Sequence, residues 1–410
     1  SGSLNTFTKC PGNRVRFTRY LVLPFVSFKI QDAKLIMARK IRILHVLLSL
    51  NYGGVETFAM NLLRFIDRSR FSLDFAVLHG PEGANEAEAV NLGAKIFRFR
   101  RPRHGISFLL DIDRILRSGC KYDIIHSHLG LPTGLVLFAA HKNGIAGRIA
   151  HAHSILSPSS LILRTTQRWW LSLQAQTATR RLAVSSSVAT SHFGASWNHD
   201  PRVDIVPCGT TLPPPPAIGR QELRTSLGLP PDDLLLINVG RMVPVKNQRF
   251  LISVLHHLQA YHPSSLILIG DGPLWHELAA LARQHGLTNR VIMPGYQTNT
   301  QIAKYLHASD VFALPSISEG LGLAAIEAQA AGLPCILSTG VPREVSIRTD
   351  QTTFLPTNSG AEAWAAEIYN AYLRGKVDPV LALSAANASP FSIVTATKTL
   401  EDIYEAESQC

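Results

Sequence analysis

The chain has 410 residues, 46% hydrophobic and 17% charged, with a formal net charge of +11. That composition fills two large cores and excludes an intrinsically disordered protein. No apolar run approaches the roughly 18–20 residues of a membrane helix. The basic surface carries no zinc-finger spacing or RNA-binding aromatic signature, so its partners are the phosphates of a small substrate or an anionic membrane rather than nucleic acid.

Five cysteines, Cys10, Cys120, Cys208, Cys335 and Cys410, are odd in number, scattered and never in a CxxC pair. This spacing suits neither a disulfide framework nor a structural zinc site, and it suits a reducing cytoplasm. Residues 1–38 read as a leader or disordered extension. A short apolar run, Tyr20–Phe28, is ended by Lys29, and Met37 opens a stretch that reads as a natural start.

From Lys40 onward, short apolar runs alternate with helix-period stretches. Ile41–Leu48 reads as a buried strand, broken by Gly53-Gly54 and followed by a helix over Glu56–Phe65. Further strands are expected at Phe75–Leu78, Ile124–His126, Ile149–His151 and Leu182–Val184. The alternation stops at Pro213–Pro216, which can join neither helix nor sheet interior and so form a stiff connector. It restarts with strands at Leu234–Val239, Leu266–Ile269, Val291–Met293, Val311–Leu314 and Cys335–Leu337. Helices are expected near Gln248–Tyr261, Leu274–His285 and Leu321–Ala331. The pattern predicts an α/β protein of two doubly wound, Rossmann-like parallel-sheet domains, 39–212 and 213–391, with a final helix near 392–407. Ligands of such sheets sit beyond the carboxyl ends of the strands, so the two domains should share one central cleft.

The sharpest motif runs from Ser316 to Ala328. It follows a strand and opens a helix, and Gly320 and Gly322 let backbone amides approach an anion at the positive helix end. Glu319 and Glu327 stand eight positions apart, roughly 12 Å at helical rise, close to the length of a nucleotide-sugar. One carboxylate can take sugar hydroxyls and the other ribose hydroxyls, with the amides on the diphosphate. In Gly240-Arg241-Met242-Val243-Pro244-Val245-Lys246, Arg241 and Lys246 can converge on the same diphosphate and offset the charge that grows on bond cleavage. In the first domain, Gly53 and Gly54 permit close backbone approach to a ligand. His128 ends a strand, points into the expected cleft and can meet a sugar hydroxyl or the acceptor, while His126 is read as facing the other side. His151-Ala152-His153 raises a metal site, set aside because no acidic or cysteine ligand stands at metal spacing nearby. Arg98, Arg100, Arg101 and Arg103, and the mixed Arg164–Trp170 stretch, are candidates for peripheral contact with an anionic membrane at the inner face of the plasma membrane.

Gly53-Gly54-Val55-Glu56, His126-Ser127-His128, Val206-Pro207-Cys208-Gly209, Gly240-Arg241 with Lys246, Gly270-Asp271-Gly272-Pro273-Leu274 and Glu319 through Glu327 occur in this order. As a set they resemble the retaining glycosyltransferases of family four, which have the GT-B fold. Residues 53–67 and His151-Ala152-His153-Ser154 look most like the branch of capsular or exopolysaccharide assembly. The resemblance covers about residues 39–407 and implies a nucleotide diphosphate sugar donor, a glycan or lipid-linked acceptor, a hexose-type sugar, no metal and net retention. It implies that Arg241 and Lys246 hold the diphosphate, Glu319 the sugar hydroxyls and Glu327 the ribose. The backbone at Gly53, Gly54 and Gly320, Leu321, Gly322 and Leu323 would lie along the donor, with His128 near sugar and acceptor. The final helix would cross back onto the first domain. One segment departs: the family's Pro-Asn-Gly, an apolar residue and Asp are replaced by Pro207-Cys208-Gly209-Thr210-Thr211, which bears on the acceptor edge. The alternatives are a nucleotide-sugar epimerase of the same architecture and a non-catalytic nucleotide-sugar-binding subunit.

Overall fold

The structure is a computed structural model that describes residues 39–51, 53–78, 82–99, 106–156 and 161–409, the side chains at 106, 107 and 161–164 excepted. The leader reading of residues 1–38 and the arginines at 100, 101 and 103 lie outside the described residues.

The first sheet has seven strands: β1 Ile41–Leu47, β2 Phe71–Val77, β3 Ile96–Arg98, β4 Ile124–Ser127, β5 Gly147–Ala152, β6 Arg180–Ala183 and β7 Val203–Ile205. The second has six: β8 Leu234–Val239, β9 Ser264–Ile269, β10 Val291–Gly295, β11 Val311–Leu314, β12 Cys335–Leu337 and β13 Thr352–Phe354. Each pairing is parallel. The apolar runs account for this directly: all six residues of β8 and of β9 are buried, as expected of strands covered by helices on both faces.

Spatial order is β3-β2-β1-β4-β5-β6-β7 in one sheet and β10-β9-β8-β11-β12-β13 in the other. In both, the chain winds outward from the first strand, returns and winds the opposite way. The reversals fall between β1 and β4 and between β8 and β11, and a crevice opens beyond the strand ends at each reversal.

Three strands are absent from the sequence reading: β3, β7 and β13 are three-residue outer strands, too short to show periodicity. The helix after β11 starts at Leu323, so of the positions separating Glu319 from Glu327 the first three form a bent turn, and the helical 12 Å does not apply.

The last helix, Ile393–Ser408, packs on the first sheet. Leu400 and Tyr404 are buried, and the Glu401 carboxylate accepts from the backbone N–H of Asp67 at 2.9 Å. Beside it runs the segment that leaves β7: Thr210 donates its N–H to Phe391 O at 3.0 Å and accepts from Ile393 N–H at 3.1 Å. The two interdomain crossings are thus zipped together. A Cβ on Gly209 would lie 2.7 Å from the Ala396 methyl, which only a glycine avoids.

Candidate functional site

The two reversal points face one another across a cleft of about 530 Å³. Gly54, His128, His153 and Cys208 line it from the first domain, and Gly240, Lys246, Glu319 and Gly320–Ala324 line it from the second.

The second wall is built by the turn after β11. Ser316 Oγ donates to Glu319 Oε1 at 2.6 Å, and Lys246 Nζ reaches the same oxygen at 2.6 Å. Glu319 keeps only 9% of its surface exposed. Gly322 then adopts φ 99°, a left-handed conformation that suits glycine, and its successor opens the Leu323–Ala330 helix. The amides of that first turn border the cleft. The Lys246 loop is braced from both sides: Gln248 Nε2 donates to Arg241 O at 3.1 Å, and Asn247 Nδ2 donates to Pro315 O at 3.3 Å. Asn247, at φ 53°, is the non-glycine with positive φ among the described residues, and it holds the turn that aims Lys246. Arg241 follows the cleft-lining Gly240, with its side chain exposed.

The walls touch. Ser185 Oγ donates to Gly320 O at 2.6 Å, and the N–H of Ser186 donates to Glu344 Oε1 at 2.9 Å. Any Cβ on Gly320 would collide with the carbonyl oxygen of His153.

Glu327 lies in a different hollow, lined by Thr211, Leu212, Asn299, Leu306 and His307. Thr210 Oγ1 donates to its carboxylate at 3.1 Å, and burial pushes its pKa up to about 7. On the first-domain side, Gly54 lines the cleft, whereas Gly53 is covered by the Glu56 carboxylate.

His128 is placed as expected at a strand end, on the cleft wall, but both its ring nitrogens are taken by protein partners. Its Nε2 lies 3.0 Å from His45 Nδ1, and its Nδ1 lies 2.8 Å from His153 Nε2. His126 does not face the other side. Residues two apart on a strand share a face, and the His126 and His128 ring centroids are 4.3 Å apart. The surroundings of His151 and His153 are also richer than the sequence indicated. His45, His126, His128 and Cys208 join them, and two sets of three histidines, His45-His126-His128 and His128-His151-His153, have nitrogens within 4.8 Å of one another. These are ligand types that zinc takes. Here, however, each nitrogen is matched to its own partner rather than to a common point. Burial drives all five rings toward the neutral form, with His45 and His151 lowered to about 3. His45 and Tyr404 escaped the sequence reading, and Cys208 entered it only as a departure from the family pattern. The available signal was the His-x-His spacing at the ends of two strands, β4 and β5, that proved to be neighbours.

Two parallel, doubly wound sheets whose reversal points meet in one cleft define the GT-B class. Residues 52–212 match the profile described as Glycosyltransferase Family 4, and residues 219–377 match that of Glycosyl transferases group 1. EpsF of Bacillus subtilis (strain 168), named as a glycosyltransferase, is 31% identical over 351 residues, covering 82% of this chain and 88% of its own. An Escherichia coli enzyme named UDP-Gal:alpha-D-GlcNAc-diphosphoundecaprenol alpha-1,3-galactosyltransferase is 24% identical over 394 residues, covering 89% of this chain and 97% of its own. The fold is shared with the crystal structure of Anabaena Alr3699/HepE in complex with UDP and glucose, at a TM-score of 0.73 and 19% identity over 89% of this chain and 99% of that one. The chain belongs to the family four, group 1 glycosyltransferases of GT-B fold.

Proposed function

We propose that the cleft binds a nucleotide diphosphate sugar and transfers its hexose, with retention, to a glycan or lipid-linked acceptor in cell-surface polysaccharide synthesis. The observation that carries this reading is the Lys246–Glu319 pair beside the amides of the Gly320–Leu323 turn, facing Gly54 and His128 across one cleft. Those amides and the Lys246 ammonium suit a diphosphate. Glu319 is the carboxylate for the sugar hydroxyls and Glu327 that for the ribose. Arg241 joins Lys246 at the phosphates when the donor is bound. Support for the donor and acceptor classes comes from the names of the E. coli relative and of the HepE complex.

Retention fits a front-face transfer. The acceptor oxygen bonds to the anomeric carbon on the face that the diphosphate leaves, the carbon–oxygen bond to phosphate breaks, and a phosphate oxygen takes the acceptor's proton. Lys246 and Arg241 offset the charge that develops on the diphosphate, and no step draws on a metal.

Peripheral docking at the inner face of the plasma membrane would suit a lipid-linked acceptor. No described helix is long and apolar enough to cross a membrane. Leu110 and Trp169, 61% and 58% exposed, stand on the helices Ile106–Leu116 and Leu161–Thr177, which both pack on the helix Thr133–Lys142. Exposed Arg168 adjoins Trp169. Arg98, by contrast, is tied to Glu86.

The test is a thermal-shift series with UDP, GDP and ADP and their hexose conjugates, followed by incubation of the stabilising donor with and without glycan and lipid-diphosphate acceptors. The expected result is stabilisation by one nucleotide class and a product with the donor's anomeric configuration. A new sugar nucleotide formed without acceptor, or an inverted product, overturns the reading.

A further inference from the structure

Seven hydrogen bonds join Cys208, five histidines, Tyr404 and a backbone carbonyl into one unbranched chain. Cys208 Sγ lies 3.5 Å from His153 Nδ1, His153 Nε2 lies 2.8 Å from His128 Nδ1, and His128 Nε2 lies 3.0 Å from His45 Nδ1. His45 Nε2 is 3.3 Å from the Tyr404 hydroxyl, which is 2.7 Å from His126 Nδ1. His126 Nε2 is 3.3 Å from His151 Nδ1, and His151 Nε2 is 3.1 Å from Val206 O. All ten ring nitrogens are used.

The far end fixes the direction. The Val206 carbonyl can only accept, so His151 carries its hydrogen on Nε2 and accepts on Nδ1. His126 must then donate from Nε2 and accept on Nδ1 from the Tyr404 hydroxyl. That hydroxyl, its own hydrogen committed, accepts from His45 Nε2–H. The same step repeats through His128 and His153, whose Nδ1 accepts from the Cys208 thiol. Burial keeps that thiol protonated, its pKa raised to about 12. Seven links take seven hydrogens, one from each of the seven side chains. Reversal would set a lone pair of His151 against the carbonyl oxygen, an uncompensated buried polar contact.

We infer that His45, His126, His151 and Tyr404 are positioning residues of the transfer cleft, ordering His128 and His153 on its first-domain wall as neutral rings in a single tautomer, with hydrogen on Nε2. The inference rests on the reading of that cleft as the transfer site and deepens it. His128 and His153 line the cleft, whereas Tyr404, on the final helix, bonds His45 and His126, so the crossing helix is wired to the site wall through His45. Neither His128 nor His153 is left to exchange protons with substrate. The wall these rings form stays uncharged opposite Lys246, whose ammonium supplies cationic pull on the diphosphate from the second domain.

The test is ¹⁵N-edited NMR of the histidine rings in the full chain without ligand, between pH 6 and 8. Five rings are expected neutral and protonated on Nε2 alone. In Tyr404→Phe, the Nε2 and Nδ1 shifts of His45 and His126 should move, and the change should reach His128 and His153. Phe71→Leu removes packing on Tyr404, whose ring centroid is 6.1 Å away, without touching a link. It should lower the melting temperature yet leave the five-ring pattern intact. An Nδ1–H or charged ring among the five, or His128 and His153 shifts unmoved by Tyr404→Phe, overturns the chain. So does one equivalent of Zn²⁺ retained by the wild type and lost on His128→Ala, because a metal needs the lone pairs that the chain consumes. None of these readouts uses a sugar donor, so the chain can fail while the transfer reading stands. If the wild type binds no nucleoside diphosphate, the transfer reading fails while the ring pattern still reports on the chain.

Discussion

Lys246 Nζ and Ser316 Oγ meet the same carboxylate oxygen of Glu319, each at 2.6 Å. The ammonium has three donors and this contact uses one. Glu319 therefore aims Lys246 into the cleft while it remains available to phosphate. Lys246→Ala should lower kcat by about 10²–10³, the scale of an electrostatic contact worth about 3–4 kcal/mol in the transition state. Arg241→Ala, from an exposed site, should cost less. Steady-state kinetics on the donor found by thermal shift checks both. Near-normal kcat in Lys246→Ala would remove it from the diphosphate site.

Glu327 carries a pH signature. Burial lifts its carboxyl to about 7 from an ordinary 4.5. The folded protein therefore binds a proton that the unfolded chain releases between those values, and the group subtracts stability as pH rises from about 4.5 to 7. Above pH 7 the penalty approaches about 3 kcal/mol at most, reduced by the part of the residue that water still reaches. Glu327→Gln should match the wild type near pH 4.5 and melt higher near pH 8. As the proposed ribose ligand, it should also weaken binding of the free nucleoside diphosphate. Equal melting temperatures at pH 8 would contradict the buried carboxyl, and unchanged nucleotide affinity would contradict the ribose role.

The histidines work in the opposite sense. Folded His45 and His151 titrate near 3, against 6.5 in an unfolded chain, with burial the leading cause. Between those values the unfolded chain holds more protons, so stability present above pH 6.5 is lost as pH falls toward 3. Each ring withdraws about 1.4 kcal/mol per pH unit in that window. His126, His128 and His153 are lowered as well, so their contributions run in the same direction and steepen the loss. Melting temperatures at pH 7.5, 6.5 and 5.5 should fall steeply over the last step. A flat profile would mean that water reaches the rings.

The exposed pair on the first domain makes a separate prediction. Leu110 and Trp169 offer apolar side chains and Arg168 a charge, the combination that an anionic surface binds. Replacing Leu110 and Trp169 with Ser together should reduce cosedimentation with phosphatidylglycerol vesicles about a hundredfold, the scale of losing about 1.5 kcal/mol of apolar burial from each of the two side chains, without changing donor affinity. Equal binding of both proteins would place the docking surface elsewhere.

What the sequence made legible follows from how each signal is encoded. Core strands such as Leu234–Val239 and Val311–Leu314 announce themselves because burial on both faces demands unbroken apolar runs. The outer strands Ile96–Arg98, Val203–Ile205 and Thr352–Phe354 are too short to do so. Glu319 and Lys246 were legible because a turn between a strand and a helix is local. The histidine chain was not, since His45 and Tyr404 stand 359 positions apart and meet only because the final helix returns to the first sheet. Cys208 read as a departure from the family pattern, and its partner, His153, became visible only in space.

Contact between the domains supplies the last prediction. Gly320 packs so closely on the His153 carbonyl that no Cβ fits, and its own carbonyl accepts from Ser185 Oγ at 2.6 Å. Both partners are backbone at Gly320 and His153, so neither can swing aside as a side chain would. Gly320→Ala should therefore push the walls apart rather than unfold either sheet. Far-ultraviolet circular dichroism should match the wild type, and small-angle scattering should report a larger radius of gyration. Turnover should fall roughly a hundredfold, the cost of displacing reacting groups by about 1 Å. Ser185→Ala removes the hydrogen bond without adding an atom, so it should lower activity modestly and leave the radius unchanged. If Gly320→Ala kept both the wild-type radius and its turnover, the second wall would have to accommodate the methyl by moving the Ser316–Gly322 turn, and closure of the cleft would not depend on this contact.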